Sequence, residues 1–301
     1  MRKSTMVLLI VAICLVVTGM ILFAITLGIN SWNFRHLDTR IFETNTHQIH
    51  TEFHSILVET DTPDIRVLPS PDRSCKVVCY ETENARHTVT ADNGTLTIRL
   101  VKNQKWYDYI GIQFESPKIT VYLPEAVYES LSVHADTGDV EVSDDLTFEQ
   151  ISISVSTGDI HLEDITAKSI TTTQSTGDVV ARNVKCQQFH STGSTGDLEL
   201  HDLTASETIS ITRSTGDVNM KASTALQVSI QTDTGDVRFE ACDANEIIIQ
   251  TDTGDVTGTL LTPKIFQVET DTGRVDIPES GSRGKCQIKT DTGDIQVEIL
   301  E

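Results

Sequence analysis

The segment "QTDTGDVRFEACDANEIIIQTDTGDV", which runs from Gln231 to Val256, contains the hexapeptide Thr-Asp-Thr-Gly-Asp-Val twice, nineteen residues apart. Thr-Gly pairs recur at this interval through the C-terminal half of the chain. Their glycines are Gly138, Gly158, Gly177, Gly196, Gly216, Gly235, Gly254, Gly273 and Gly293. Successive glycines are 19 or 20 residues apart, and Asp follows each of them except Gly273, which precedes Arg274. A period this regular over nine copies indicates a repeat architecture.

Apolar residues fall at fixed distances from each repeat glycine. Around Gly158 they are Ile151, Ile153, Ile160 and Leu162, in steps of two on either side of the turn. Steps of two with β-branched residues predict strands. One such unit cannot bury its apolar face alone, so we expect the units to stack. The pattern predicts an all-β fold, a right-handed parallel β-solenoid (β-helix) of about nine 19–20-residue coils over residues 131–301. A β-sandwich of hairpins is the alternative.

The N-terminus differs from the rest of the chain. Residues 6–29 form an uncharged apolar run long enough to cross a bilayer, and Arg2 and Lys3 precede it. We therefore expect a cytoplasmic tip (residues 1–5), a transmembrane helix (6–29) and a linker (30–43). This arrangement predicts a single-pass plasma-membrane protein with its N-terminus inside and its C-terminal domain extracytoplasmic. A cleaved signal peptide is the alternative.

Residues 44–130 contain strand patterns without the Thr-Gly-Asp period, and we interpret them as an irregular β lead-in that caps one end of the rod. Asn93-Gly94 predicts a type I′ hairpin turn within "HTVTADNGTLTIRL". The aromatic-rich segment 106–114 is expected either to pack against the first coil or to contact a ligand. Three histidines, His47, His50 and His54, are expected to be solvent-exposed.

The net charge and the motif content argue against several classes of function. The formal net charge of −21 argues against nucleic acid and anionic membrane surfaces as partners. The sequence carries no nucleophile elbow, phosphate-binding loop or HExxH motif. A residue that recurs in every repeat is better explained by architecture than by catalysis. We therefore predict a protein without catalytic residues or an obligatory cofactor, with a β-helix polysaccharide-active enzyme as the alternative.

The basic N-terminal tip, the apolar anchor, the lead-in ending "ITVYLPEAVYESLSV" and the repeated "STGD" or "DTGD" turns resemble a bacterial family. The chain is similar to the β-strand-repeat family of candidate adhesins, which includes LiaG-like envelope proteins. The resemblance implies a surface-exposed β-solenoid linked to the cell envelope, with a domain of unknown function and no catalytic residues to transfer. Arg274 departs from the repeated turn.

Stacked coils would align the turn aspartates in a column, where carboxylates about 5 Å apart repel one another by about 1 kcal/mol per pair in water. Hydrogen bonds from backbone N–H and Thr hydroxyl groups within each turn, together with pairing of Arg274 to Asp255 and Asp294, would offset this repulsion. Calcium is the other interpretation, because the last coils carry a second Asp. The candidate calcium ligands are Asp233, Asp236, Asp252, Asp255, Asp271, Asp291 and Asp294.

Hydroxyl side chains recur on the outward side of the strand that precedes each turn. The candidate ligand face consists of Thr171, Thr173, Thr192, Ser210 and Thr212. A flat hydroxyl-rich sheet of this kind could bind a glycan or an envelope protein, or could simply be a soluble β surface. The chain also ends within its ninth coil without a capping element, which predicts that the C-terminal coil is a site of self-association.

Cysteines are the remaining candidates. Cys75 and Cys79 of "CKVVC" would share one strand face, too far apart to bridge each other. A zinc site at this pair would need a second Cys pair, which the sequence lacks, so structural burial is favoured. Cys242 and Cys286 fall in interior columns and are expected to behave as small apolar residues.

Overall fold

A computed structural model describes residues 3–29, 41–102 and 115–300 of the chain. It contains one helix, α1 (Lys3–Ile29), and 24 strands that form one continuous sheet. The strands are β1 (Phe42–Ile49), β2 (Ser55–Thr60), β3 (Asp64–Pro69), β4 (Cys75–Thr82), β5 (Ala85–Asp92), β6 (Thr95–Lys102), β7 (Lys118–Leu123), β8 (Val127–Thr137), β9 (Val140–Val142), β10 (Thr147–Thr157), β11 (Ile160–Glu163), β12 (Thr166–Thr176), β13 (Val179–Arg182), β14 (Lys185–Thr195), β15 (Leu198–His201), β16 (Thr204–Thr215), β17 (Val218–Lys221), β18 (Thr224–Thr234), β19 (Val237–Thr253), β20 (Val256–Leu260), β21 (Ile265–Thr272), β22 (Val275–Asp276), β23 (Lys285–Thr292) and β24 (Ile295–Ile299).

Helix α1 carries the apolar run seen in the sequence. Its segment Met6–Ile29 is long and apolar enough to cross a membrane, by length and composition. A signal sequence has the same properties, so the helix agrees with either an anchor or a signal.

The repeats form the predicted solenoid. Each coil contributes a long strand before the Thr-Gly-Asp turn and a short strand after it, and equivalent strands of neighbouring coils pair in parallel and in register. The long strand is longer than expected because it includes a bend. In β10 the inward–outward alternation changes phase at Glu149 and Gln150, which are neighbours and both lie outside the core. The apolar columns flanking the turns line one continuous interior, which opens at the eighth coil, where Val275 is exposed.

Two further layers of the solenoid lie within the segment expected to be an irregular cap. Strands β2 and β3 pair in parallel with β8 and β9 of the first repeat. Strands β6 and β7 pair in parallel with the outer sides of β2 and β3. The turn of the inner added layer is "TDTPD" (residues 60–64), in which Pro63 takes the place of the repeat glycine. A side-chain Cβ at Gly138 would meet the carbonyl group of Pro63, as later repeat glycines meet one another.

Antiparallel strands close this end of the rod. On one face β4 pairs with β7, and β1 pairs with the far edge of β4; on the other face β5 pairs with β6. The turn between β5 and β6 confirms the predicted hairpin, because Asn93 and Gly94 have φ values of 50° and 77°. We call β1, β4 and β5 the cap.

The opposite end departs from chain order. The ninth coil, β23 and β24, lies between the seventh coil and the eighth: β23 pairs with β19 on one side and with β21 on the other. The expectation that the ninth coil ends the rod is therefore wrong, since the eighth coil (β21 and β22) is outermost. In the described part of the chain, the outer edge of β21 has no further strand, so the prediction of self-association now concerns this coil.

The connections explain the change of order. Regular corners between coils span two residues, as between β11 and β12, whereas four residues (261–264) join β20 of the seventh coil to β21, two layers further out. Eight residues (277–284) then return the chain by one layer, from β22 to β23. Skipping a layer requires roughly 10 Å, twice the strand spacing, which a two-residue corner cannot provide. The eleven stacked long strands, from β6 to β21, make a rod about 48 Å long.

The burial of the cysteine and histidine side chains agrees with most of the predictions. Cys242 and Cys286 are buried, as predicted, and Cys75 and Cys79 are buried on one face of β4 without a disulfide. His50 and His54 are exposed, but His47 is half-buried on the inner side of β1, because that strand pairs with β4 as part of the cap. The aromatic segment 106–114 lies outside the described residues.

Candidate functional site

Each Thr-Gly-Asp turn is built against the turn of the preceding coil. Gly196 has a φ of 128°, a region that favours glycine, and a Cβ there would overlap the carbonyl group of Gly177. The Gly196 N–H donates to the carbonyl oxygen of Thr215 in the following coil, at 3.0 Å. The glycine is therefore required both by backbone conformation and by the close stacking of successive turns.

The turn aspartates form a hydrogen-bonded ladder along the rod. The Oδ1 atom of each aspartate accepts the backbone N–H of the equivalent residue in the next layer; Asp159, for example, accepts from Asp178 at 2.8 Å. In spatial order the ladder is Asp64, Asp139, Asp159, Asp178, Asp197, Asp217, Asp236, Asp255, Asp294 and Arg274. The sequence predicted such bonds within each turn, whereas the structure places them between coils.

Arg274 occupies the outer end of this ladder. Its side chain contacts Asp294 through two nitrogen atoms, at 3.1 and 2.8 Å, and its backbone N–H donates to the same carboxylate. These hydrogen bonds and the nearby positive charge lower the pKa of Asp294. The described contacts include no direct pairing with Asp255, contrary to expectation, because the ninth coil separates the two residues. No layer follows Arg274 in the part of the chain that the structure describes, so an aspartate there would add charge without accepting an N–H.

The candidate calcium ligands belong to two sets. Asp236, Asp255 and Asp294 are members of the ladder, and each already accepts a backbone N–H through Oδ1. Asp233, Asp252, Asp271 and Asp291 are exposed at the ends of the long strands. Among the described residues, none of these carboxylates belongs to a group of three with ligand atoms within 4.8 Å of one another. Calcium binding stays a prediction, to be tested by calcium titration with thermal melts.

The candidate ligand face is a set of columns on the outer side of the long strands. Thr171 and Ser210 lie in one column, joined by His190, and Thr173, Thr192 and Thr212 follow one another in the next. By strand register, the second column reads Arg99, Glu59, His134, Ser154, Thr173, Thr192, Thr212, Gln231, Gln250, Lys289 and Glu269. We call this surface the hydroxyl face.

Depressions lie at both ends of the hydroxyl face. One, of about 430 Å³, lies over the last three coils and is lined by polar residues that include Gln250, Gln287 and Lys289. The other, of about 420 Å³, lies at the capped end beside Glu59, Arg99 and other residues. The middle of the hydroxyl face therefore carries uncharged hydroxyl groups, and its two ends carry charged side chains.

A polar column runs inside the rod behind the turns. Its most unusual member is Arg213, whose buried side chain extends over Gly193 and donates to Ser191 Oγ at 3.0 Å. Burial lowers the pKa of Arg213 to about 10, opposed by the charges of Asp178 and Asp197. Its Nε atom has no hydrogen-bond partner among the described residues. Thr232 and Thr251 continue the column, and neither hydroxyl group has a hydrogen-bond partner within the described ranges.

The cap contains a second buried polar cluster. Cys79 and Glu81 point inward from β4, and His87 points inward from β5 on the opposite face of the rod. Glu81 Oε2 lies 2.7 Å from His87 Nδ1 and also accepts the His87 backbone N–H, while Glu81 Oε1 accepts from Asn45 at 2.8 Å. The His87 Nε2 atom lies 2.8 Å from Thr60 Oγ1, at the end of solenoid strand β2.

Burial and hydrogen bonding act in opposite directions on this cluster. Burial raises the pKa of Glu81, but hydrogen bonds from the His87 side chain, Asn45 and the His87 backbone outweigh it, so the net shift is downward. Burial, assisted by the Glu81 charge, raises the pKa of the Cys79 thiol to about 12. The ligand atoms of Cys79, Glu81 and His87 all lie within 4.8 Å of one another.

The repeated turns, the ladder and the parallel coils agree with the sequence comparison. The chain matches the profile of the Toastrack DUF4097 family over residues 53–224 and again over residues 186–301. The chain belongs to the Toastrack DUF4097 family. Among curated proteins, no significant sequence match was found.

Two solved structures are similar to this chain over most of its length. One, a candidate lipid-binding protein from Parabacteroides distasonis, is 15% identical, with a TM-score of 0.54 over 87% of this chain and 98% of the other. Another, a candidate adhesin from Bacteroides fragilis, is 18% identical, with a TM-score of 0.48 over 87% of this chain and 99% of the other. At these identities the likeness to the first structure shows the fold alone.

Sequence reasoning missed two features of this Toastrack chain. The layer with Pro63 lacks the glycine that defines the repeat, although "TDTPDIRV" matches "TDTGDVRF" in the repeat at five of eight positions. The cap cluster was missed because Cys79 was paired with Cys75 alone. The alternating pattern of "CKVVCYE" places Glu81 on the same strand face as both cysteines, which was the available signal.

Proposed function

We propose that this protein is a membrane-anchored, extracytoplasmic rod that presents the hydroxyl face to a glycan of the cell envelope and catalyses no reaction. The observation that carries the proposal is the continuous register of that face. Thr173, Thr192 and Thr212 are consecutive in one column, and their spacing is fixed by the strand separation of about 4.8 Å. A rigid periodic array suits a periodic polymer, because binding then requires little ordering of the protein.

The chemistry of the face favours a neutral sugar chain. Ser, Thr and Gln side chains both donate and accept hydrogen bonds, which matches the hydroxyl and amide groups of glycans. The net charge of −21 disfavours strongly anionic polymers. The depression lined by Gln250 and Gln287 would hold the end of a bound chain more deeply than the flat middle does.

Helix α1 and the position of β1 in the cap support the proposed location. The apolar segment Met6–Ile29 would hold the chain in the plasma membrane, with Arg2 and Lys3 on the inner side. Strand β1, the first element after the linker, belongs to the cap. The capped end would therefore lie nearest the membrane, and the eighth coil would point away from it.

The proposal of a non-catalytic role is supported by the structural task of the ladder aspartates. The ladder carboxylates accept backbone N–H groups between coils, a structural task that repeats along the rod. Membership of the Toastrack family adds support, since the family match transfers no catalytic residue.

A triple substitution tests the proposal. The full-length chain in detergent is assayed for co-sedimentation with insoluble peptidoglycan and for binding to a neutral glycan array. Replacing Thr173, Thr192 and Thr212 with Lys should reduce binding at least tenfold, because long charged side chains would cover the face. The matched control replaces Val180, Asn219 and Thr257 with Lys, which adds the same charge to the short-strand face of the rod.

The outcomes separate the alternatives. Loss of binding in the first variant and retention in the control support the hydroxyl face. Equal binding by both variants, or no glycan binding by the unmodified chain, overturns the proposal and leaves an envelope protein or a second copy as the partner.

A further inference from the structure

The cap cluster lies where the two faces of the rod meet at its capped end. Strand β4 continues the short-strand face beyond β7, and β5 continues the long-strand face beyond β6. Inward side chains of β4 and β5 therefore face one another across the interior. Cys79, Glu81 and His87 are all buried, and they bring a thiol, a carboxylate and an imidazole together.

We propose that Cys79, Glu81 and His87 form a binding site for Zn²⁺ that fastens the cap to the solenoid. Zinc takes thiolate, imidazole and carboxylate ligands in tetrahedral geometry. The three ligand atoms lie within 4.8 Å of one another, so one ion can reach all of them with small side-chain movements. Thiolate and imidazole together favour zinc over calcium or magnesium, which prefer oxygen ligands.

The surrounding residues match the support that zinc ligands normally receive. If Nδ1 of His87 binds the ion, Nε2 remains free to donate to Thr60 Oγ1, which lies 2.8 Å away. Asn45 donates to the other oxygen of Glu81 and holds that carboxylate in place. Thr60 belongs to the solenoid, Asn45 to β1, and the three ligands to β4 and β5, so the site joins four strands.

Binding requires one local change. Glu81 Oε2 and His87 Nδ1 are 2.7 Å apart, whereas two ligand atoms on one tetrahedral zinc ion are about 3.3 Å apart. The hydrogen bond between them must open by a few tenths of an ångström as the ion enters. The ion then takes the place of the thiol proton of Cys79, which leaves to solvent, and of the proton shared by His87 Nδ1 and Glu81 Oε2. The neutral imidazole keeps one proton, on Nε2, which donates to Thr60 Oγ1, and the fourth position on the ion remains available to water.

Cobalt and zinc binding to the full-length chain in detergent test the site. The reduced, chelator-treated protein should bind one equivalent of Zn²⁺, and Co²⁺ should give a thiolate-to-metal absorption band. Cys79→Ser should abolish the band, and His87→Gln should weaken zinc binding more than tenfold. Thr60→Val, which removes only the supporting hydroxyl group, should weaken binding about tenfold.

Cys75→Ser is the matched control, because Cys75 is also buried on the inner face of β4 but lies outside the cluster. It should bind Co²⁺ as the unmodified protein does. Absence of one-to-one binding, or a thiolate band that survives in Cys79→Ser, overturns the proposal. Circular dichroism of each chelator-treated variant establishes that it is folded, and Thr60→Val supplies the test if Cys79→Ser fails to fold.

Discussion

The side chain of Arg213 fills the space above Gly193, so that a Cβ at residue 193 would overlap the guanidinium group. The two residues are equivalent positions in successive coils, and they lie in the inward column behind the turns. The glycine at position 193 has no side chain, and this leaves room in the interior for the large side chain of Arg213 in the next coil. The buried cation is retained by this local exchange of volume and by a hydrogen bond to Ser191.

This relationship predicts strong coupling between the two positions. Gly193→Ala should destabilise the chain by about 3 kcal/mol and lower its melting temperature by roughly 10 °C, because the interior would be overpacked. In an Arg213→Thr background the same change should cost much less, since threonine also occupies this column at Thr232. Thermal melts of the four proteins in the cycle measure the coupling. Equal costs in both backgrounds would contradict the close contact.

The corners on the far side of the rod predict a stabilising change. Ala222 has a φ of 46°, in the left-handed region, where the equivalent corners carry Asp164, Asn183 and Asp202. Alanine has no side-chain hydrogen bond to compensate for this conformation, whereas asparagine tolerates it. Ala222→Asn should therefore stabilise the chain by about 1 kcal/mol. Ser206→Asn, on an exposed strand position without a positive φ, is the control and should produce no gain in a thermal melt.

The outer end of the ladder predicts a dependence on pH. Arg274→Asp restores the repeat pattern but replaces an ion pair with like charges beside Asp294, so it should loosen the eighth coil at neutral pH. The pKa of Asp294 is lowered in the folded chain, so its contribution to stability is present above the ordinary value of 3.8 and is lost as the pH falls below that value. The difference between the two proteins should therefore shrink in acid.

Hydrogen exchange of the β21 amides is the measurement for this variant. Faster exchange at neutral pH and low salt, with the difference reduced in acid, is the expected result. The same exchange rate in both proteins at neutral pH would show that the contact between Arg274 and Asp294 does not hold the coil. Arg283→Asp, at an exposed arginine outside the ladder, makes the same change of charge and is the control.

The sequence predicted the coils well because a solenoid makes its contacts between neighbouring repeats. Every Thr-Gly-Asp turn carries the same steric requirement, so spacing alone located the strands and their inward columns. The place of the ninth coil was not predictable in this way, because equivalent repeats can pair with one another in any order. The connections 261–264 and 277–284 were the available signal, since both are longer than the regular two-residue corner.

The hydroxyl face and the cap cluster also differ in how far the sequence alone could predict them. The hydroxyl face follows from period and alternation, so Thr173, Thr192 and Thr212 could be placed together from the sequence. The cap cluster depends on β4 and β5 continuing different faces of the rod, which no local pattern specifies. Glu81 and His87 are six residues apart in the chain, yet they meet across the interior because the hairpin between them spans the rod's end.

The ladder itself gives the last prediction. Asp159 Oδ1 accepts the backbone N–H of Asp178, so Asp159→Ala leaves that donor to water and should destabilise the chain by about 1 kcal/mol. Asp159→Asn keeps an acceptor oxygen and removes one negative charge from the column, so its cost should be less than half as large. Thermal melts at low and high salt distinguish the two contributions, because screening weakens the repulsion between carboxylates but not the hydrogen bond. Asp252→Ala, at an exposed aspartate outside the ladder, should leave the melting temperature unchanged. If Asp159→Asn and Asp159→Ala lower the melting temperature equally at both salt concentrations, the acceptor oxygen kept by asparagine contributes nothing. The carboxylate charge, and not the position of the acceptor oxygen, would then explain why these turns carry aspartate.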